Sequence, residues 1–145
     1  MTLPFDIEPY RHISPKDMRA LIRDAEWAHP TSGLCLSHVQ ANMIVLPKEW
    51  AYDFLVFAQR NPKPCPILDI TEPGEFEARL IAPGSDVRTD IPKYRVWNDG
   101  VLIDEPTDVK KYWRDDLVAF LLGCSFSFEG ALLEASIPIR HIDIN

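Results

Sequence analysis

The sequence predicts a single α/β domain: a mixed sheet with an antiparallel hairpin portion and helices packed on it. Three observations lead there. Ser14-Pro15 opens a stretch with the 3,4 spacing of a helix. Val39 to Leu46 is almost continuously apolar, as a buried strand is. "KYRVWNDGVLID", residues 93 to 104, places two β-prone runs on either side of Asn98-Asp99-Gly100, a hairpin turn. Helices interleaved with strands, one pair of them antiparallel, make a mixed α/β fold.

Taken in order, the first thirteen residues read as an irregular lead-in. Ser14 is a good N-cap, Pro15 suits the first helical position, and Asp17 lies in the first turn, where the helix dipole favours it. Met18, Leu21, Ile22 and Ala25 form one face, so the helix is expected to end near Trp27, before Pro30. Thr31-Ser32-Gly33 is a turn. In the strand that follows, Gln40 and Asn42 place two amides on one face. Pro47 starts a second helix to about Arg60, with Trp50, Phe54, Phe57 and Ala58 inward. "RNPKPCP", residues 60 to 66, alternates three prolines with other residues and is forced into a stiff, extended loop. Short strands are expected at Ile67 to Thr71 and Ala78 to Ala82. After the hairpin, Thr107 or Asp108 caps a short helix through Trp113. Asp115 to Leu122 continues at helical spacing until Gly123, and Phe126 to Ala135 is a further helix. Ile137 to Ile144 closes the chain as a strand.

Composition narrows the function. The 145 residues suit one domain, long enough to bury a core. The net charge of −7 argues against a nucleic-acid partner, since Lys110, Lys111 and Arg114 are offset by Asp115 and Asp116. No apolar run reaches the length of a membrane span, and Met1 to Tyr10 has no apolar core of a secretory signal. Cys35, Cys65 and Cys124 are odd in number and widely spaced, with no CxxC pair. That points to a reducing cytoplasm, with neither a disulfide framework nor a zinc site.

The residues suited to chemistry lie in four places. Glu129 shares a helix face with Ser125, Phe126, Leu132 and Leu133. Turned inward, its carboxyl would be desolvated and its pKa raised, as suits an acid or base. At the edge of the stripe it would simply face water. Gly123-Cys124-Ser125 precedes that helix, where N–H groups and the dipole attract anions and lower a thiol's pKa. The plainer account is a helix break with Ser125 as cap. Arg60, Asn61 and Lys63 sit on the proline loop as preset donors for a carboxylate, or as a solvated basic loop after a helix. Gln40 and Asn42 need partners if buried, and so does Arg140 in "IPIRHIDI". Backbone groups, Glu129 or a ligand would serve. His141 beside it suits a structural role as readily as a functional one.

"PTSGL…VQANMIVLP", "FAQRNPKPCPILDITEPG", "PGSDVRTDIPKYRVW", "WRDDLVAFLLGCSFSFE" and "IPIRHI" together resemble the D-glutamate cyclase family, also known as a hydro-lyase family. The resemblance runs from about residue 15 to 142. It implies an α/β fold and a lyase that removes water, closing D-glutamate to 5-oxo-D-proline. Gln40, Asn42, Arg60, Asn61, Lys63, Cys65, Cys124, Ser125, Glu129, Arg140 and His141 fall at motif-matching positions. The chemistry assigns Glu129, Cys124 and Ser125 to catalysis and Gln40, Asn42, Arg60, Asn61, Lys63, Arg140 and His141 to substrate binding. It demands no metal or organic cofactor, and the implied ligand is a small carboxylate or amino acid. Family members continue past "RHI" into further polar motifs, so this chain resembles their N-terminal part. The expectations that follow are an incomplete cleft and exposed apolar surface, which a homo-oligomer could cover. A non-catalytic carboxylate-binding module, or a structural half pairing with another chain, remains the alternative.

Overall fold

The computed structural model describes residues 6–139. Its fold is mixed α/β, and the strand pairings among the described residues are antiparallel. Among the described residues the main sheet has three strands: β1 (Ala41–Pro47), β2 (Ile67–Ile70) and β5 (Leu117–Gly123), with β5 in the centre. β3 (Val96–Asn98) and β4 (Val101–Asp104) form the separate hairpin. At its turn Asp99 and Gly100 take φ values of 48° and 77°, as a type I′ turn requires. The helices are α1 (Pro15–Arg23), α2 (Lys48–Arg60) and α3 (Phe126–Glu134). No helix among the described residues is long and apolar enough to cross a membrane.

The largest correction concerns residues 115 to 122. Their apolar run reads as helix, but Leu117–Gly123 is the central strand. A strand covered on both faces shows no alternation, so a short apolar run cannot be assigned by period alone. Phe120 faces α2 and meets Phe54 edge-on, with ring centroids 4.8 Å apart. Ala119 and Leu121 face the other way, into a cluster with Ala78, Val87, Met43, Val45 and Trp113. Burying a side chain such as Phe120 stabilises the fold by about 1.5–3 kcal/mol.

Other departures have local causes. α1 begins as predicted, with Asp17 N–H donating to Ser14 Oγ at 3.1 Å. It ends at Arg23, four residues before Trp27, in a Schellman motif. Ala25 is left-handed (φ 60°), its N–H donates to Ile22 O, and Glu26 N–H donates to Leu21 O. Glycine usually marks that position; an alanine there leaves no signal in the sequence. The expected strand at Ala78 to Ala82 is a turn, because the N–H groups of Leu80 and Ile81 donate to buried Asp69 Oδ2 rather than to a neighbouring strand. Thr107–Trp113 holds a single 3₁₀ turn, Lys110–Tyr112, with Lys110 N–H donating to Asp108 Oδ1. In α2, Ala58 is buried and Phe54 packs on Phe120, but Trp50 and Phe57 are exposed rather than inward. Residues 137–139 carry no strand, and the rest of the predicted closing strand lies outside the described residues.

A second core forms under α1 from Met18, Ile22, Trp27, Leu34 and Cys35. Arg23 joins it to the rest through a bidentate pair of hydrogen bonds to buried Asp90, at 2.8 and 2.9 Å.

Candidate functional site

The register of the main sheet decides what can meet. Ala41 pairs with Gly123, and Ile67 pairs with Leu122. The start of β1, the start of β2 and the end of β5 therefore share one edge. Gly123 N–H donates to Pro66 O at 2.9 Å, and Cys124 N–H donates to Gln40 O at 3.3 Å. The proline loop and the residue before β1 thus flank the turn that leads into α3.

Glu129 lies in the first turn of α3 and is 5% exposed, so it does not face water. Two hydroxyls donate to it: Ser125 Oγ to Oε1 at 2.9 Å and Ser32 Oγ to Oε2 at 3.2 Å. Ser125 lies four residues back on the helical register, as the spacing predicts. Ser32 comes from 97 residues away and lies in the Thr31-Ser32-Gly33 turn. Hydrogen bonding to each carboxylate oxygen is what makes the burial of such a group tolerable. The helix N-terminus favours negative charge at the same place.

Gln40 has a different role from the one its sequence position suggests. It precedes β1 rather than lying on its face. Its Oε1 accepts from Thr31 Oγ1 at 2.8 Å, and its Nε2 donates to Thr31 O and Leu34 O at 3.0 and 3.1 Å. Its backbone meets Ser127: N–H donates to Ser127 Oγ at 2.9 Å, and Ser127 Oγ donates to Gln40 O at 3.3 Å. Gln40 is therefore a clasp between the turn that carries Ser32 and the turn that carries Ser125. Its amide is spent on holding the site. Ser32, Thr31 and Ser127 are the site residues that local pattern misses. A serine or threonine in a turn is commonplace, and only long-range contacts distinguish these three.

The remaining candidates are placed as follows. Asn42 is exposed on β1. Cys124 is half-buried, with Sγ 3.6 Å from Gln40 O, and its N–H is occupied by the same carbonyl. Asn61 terminates α2: its Nδ2 donates to Phe57 O at 2.8 Å, and its N–H donates to Ala58 O. Cys65 N–H donates to Asn61 O, which stiffens the proline loop. Arg60, the last residue of α2, and Lys63, on the proline loop, are both exposed. Arg140 and His141 lie outside the described residues.

Beside the site is a small cavity of about 70 Å³ between α3 and the Leu34 to His38 segment. Cys35 and Ser37 there have φ values of 48° and 68°. Gly130 permits this close approach, since a Cβ on it would stand 2.8 Å from Leu36 Cδ2.

Comparison with known proteins gives a consistent picture. The family model described as D-glutamate cyclase matches residues 118–145, from β5 onward. A protein of Psychrobacter arcticus named "Putative hydro-lyase" is 58% identical over 134 residues, which is 92% of this chain and 51% of that protein. A Thermoanaerobacter protein of the same description is also 58% identical over 134 residues, with the same coverage. One of Stutzerimonas stutzeri is 53% identical over 138 residues, 95% of this chain and 52% of that protein. The chain spans about half the length of the curated relatives it matches.

Proposed function

Because the chain belongs to the D-glutamate cyclase family of hydro-lyases, we propose that it supplies the proton-handling half of a dehydrating cyclisation, D-glutamate to 5-oxo-D-proline and water. One observation carries the reading. Glu129 is buried, and both its oxygens are held by hydroxyls, one from Ser125 a helical turn away and one from Ser32, 97 residues distant.

The reaction joins the amine nitrogen to the γ-carboxyl carbon and expels one oxygen as water. The amine must lose protons, and the departing oxygen must gain them. Glu129 accepts a proton from the amine and returns one to the leaving oxygen, a role worth roughly 10²–10⁴ in rate. Ser125 and Ser32 fix the carboxylate's orientation. Cys124 N–H is occupied by Gln40 O, so the donors left for the tetrahedral oxyanion are those at the open start of α3, at Ser125 and Phe126. The first N–H groups of a helix have no partner within it. Arg60 at the end of α2 and Lys63 on the stiff loop that follows it hold the α-carboxylate. Arg140 and His141 are further candidates for that grip, and Cys124 a flanking one. Folding glutamate so that its two ends meet supplies much of the remaining acceleration, since well-oriented intramolecular reactions reach effective molarities of about 10⁵ M or more.

The test is turnover of D-glutamate to 5-oxoproline by this chain and by Glu129→Gln, with calorimetry of both compounds on each. The reading expects Glu129→Gln to lose about 10²-fold or more in kcat while still binding. Turnover within a few-fold of the parent would remove Glu129 from the role. Binding of both compounds without any conversion would favour the second reading, a small-carboxylate-binding module. The exposure of Arg60 and Lys63 suits that module equally well.

A further inference from the structure

The end of the sheet opposite Glu129 carries a feature that the cyclisation does not use. There, where Pro47 pairs with Leu117, a cleft of about 550 Å³ opens between the hairpin, the start of α2 and the Lys110–Tyr112 turn. Its walls mix aromatic and aliphatic side chains with Glu49, Arg95, Asn98, Asp99 and Arg114. Trp50 is 58% exposed and Trp97 57%, with Ile103, Tyr112 and Trp113 beside them. Exposed aromatic rings of this size are costly to leave in water.

The hairpin adds to the puzzle. Among the described residues β3 and β4 pair with each other alone, which leaves each an open edge there. In a strand, alternate residues face opposite sides, yet Val101, Leu102 and Ile103 are all at least partly exposed, so neither face of β4 is fully covered. A two-stranded hairpin on its own is marginally stable in water. A hairpin with open edges and apolar side chains partly exposed on both faces of β4 suits a partner.

We infer that this cleft and hairpin are the seat of the polypeptide that makes up the other half of the family's full length. The curated relatives keep up to 58% identity to this chain and carry about as many residues again. In them such a surface is tethered to its partner at millimolar effective concentration, so an apolar patch can stay permanently covered. A second copy of this chain is a poorer occupant, because each copy carries a net charge of −7 and the two repel at long range. The inference rests on family membership and not on the cyclisation. A full-length protein that covers its hairpin but turns over no glutamate would overturn that reading alone.

Hydrogen exchange tests it, measured on this chain and on the full-length Psychrobacter arcticus relative, with rates corrected for intrinsic exchange. The amides of residues 96–104 should exchange at least ten-fold more slowly in the full-length relative, while those of residues 15–23 should differ little. Equal rates at the hairpin in the two proteins would overturn the inference. So would hairpin protection in this chain alone that rises with concentration alongside a dimer in sedimentation, since a second copy would then be the occupant.

Discussion

Gln40 and Asn42 are two amides two residues apart, and the structure predicts opposite consequences of removing them. In Gln40→Ala three hydrogen bonds vanish, to Thr31 Oγ1, Thr31 O and Leu34 O. A typical intramolecular hydrogen bond contributes about 1 kcal/mol net. All three are part-buried, so water can satisfy some of the abandoned groups. About 2 kcal/mol is therefore the expected loss, on the scale of two of these bonds. Asn42→Ala changes an exposed side chain, and the expected effect is within about 0.5 kcal/mol. Urea unfolding separates the two. With a slope of about 2 kcal/mol/M, Gln40→Ala should lower the midpoint by about 1 M, with the slope unchanged. The same substitution frees the turn carrying Ser32, so amide exchange at residues 31–34 should accelerate. Equal, small losses from the two variants would refute the clasp, and so would a destabilised Gln40→Ala that leaves exchange at 31–34 untouched.

Other expectations test the core, the turn chemistry and the charges. Phe120→Ala should cost about 3–5 kcal/mol in chemical denaturation, because Phe120 is 1% exposed in the central strand and packs on Phe54. A loss under about 1 kcal/mol would mean that α2 does not seat there. Gly74 has a φ of 81°, and a Cβ on it would stand 3.0 Å from Asp115 O, a backbone atom that cannot swing aside. Gly74→Ala should therefore lower the melting temperature, by a strain of about 1–2 kcal/mol per left-handed residue; an unchanged melting temperature would contradict the turn. Burial opposes ionisation of Asp86, but hydrogen bonds from the Arg88 side chain and N–H outweigh it and hold the carboxyl below its usual range. A carboxyl depressed in the folded state stabilises above its unfolded pKa of about 3.9 and loses that contribution as pH falls through the folded value. The stability gap between the parent and Asp86→Asn should thus be flat from about pH 7 to about pH 5 and shrink below about pH 4. A gap that widens on acidification would reverse the sign of the argument.

Much of the fold is legible in local pattern. The cap of α1, the span of α2, the Asn98-Asp99-Gly100 hairpin and α3 each rest on residues within one turn or one pair of strands. Glu129 and Ser125 are legible as partners for the same reason: the helix places them one turn apart. What failed was decided at a distance. The strand at 117–123 needs β1 and β2 on either side before its apolar run can be told from a helix. Leu80 and Ile81 leave the expected strand because Asp69, eleven and twelve residues earlier, takes their N–H groups. Gln40 and Asn42 look equivalent in the chain, yet the Gln40 side chain reaches a second segment while that of Asn42 is exposed.

Sequence alone determined the class of fold, the family resemblance and the carboxylate at the start of the last helix, because helical spacing, turn residues and motif strings are properties of neighbours. The tertiary structure decided that this carboxylate is buried, that Ser32 from 97 residues away closes on it, and that Gln40 ties the two turns together. These are contacts between segments remote in sequence. They exist only once antiparallel pairing on β5 has brought Ala41 and Pro66 to the same edge as Gly123.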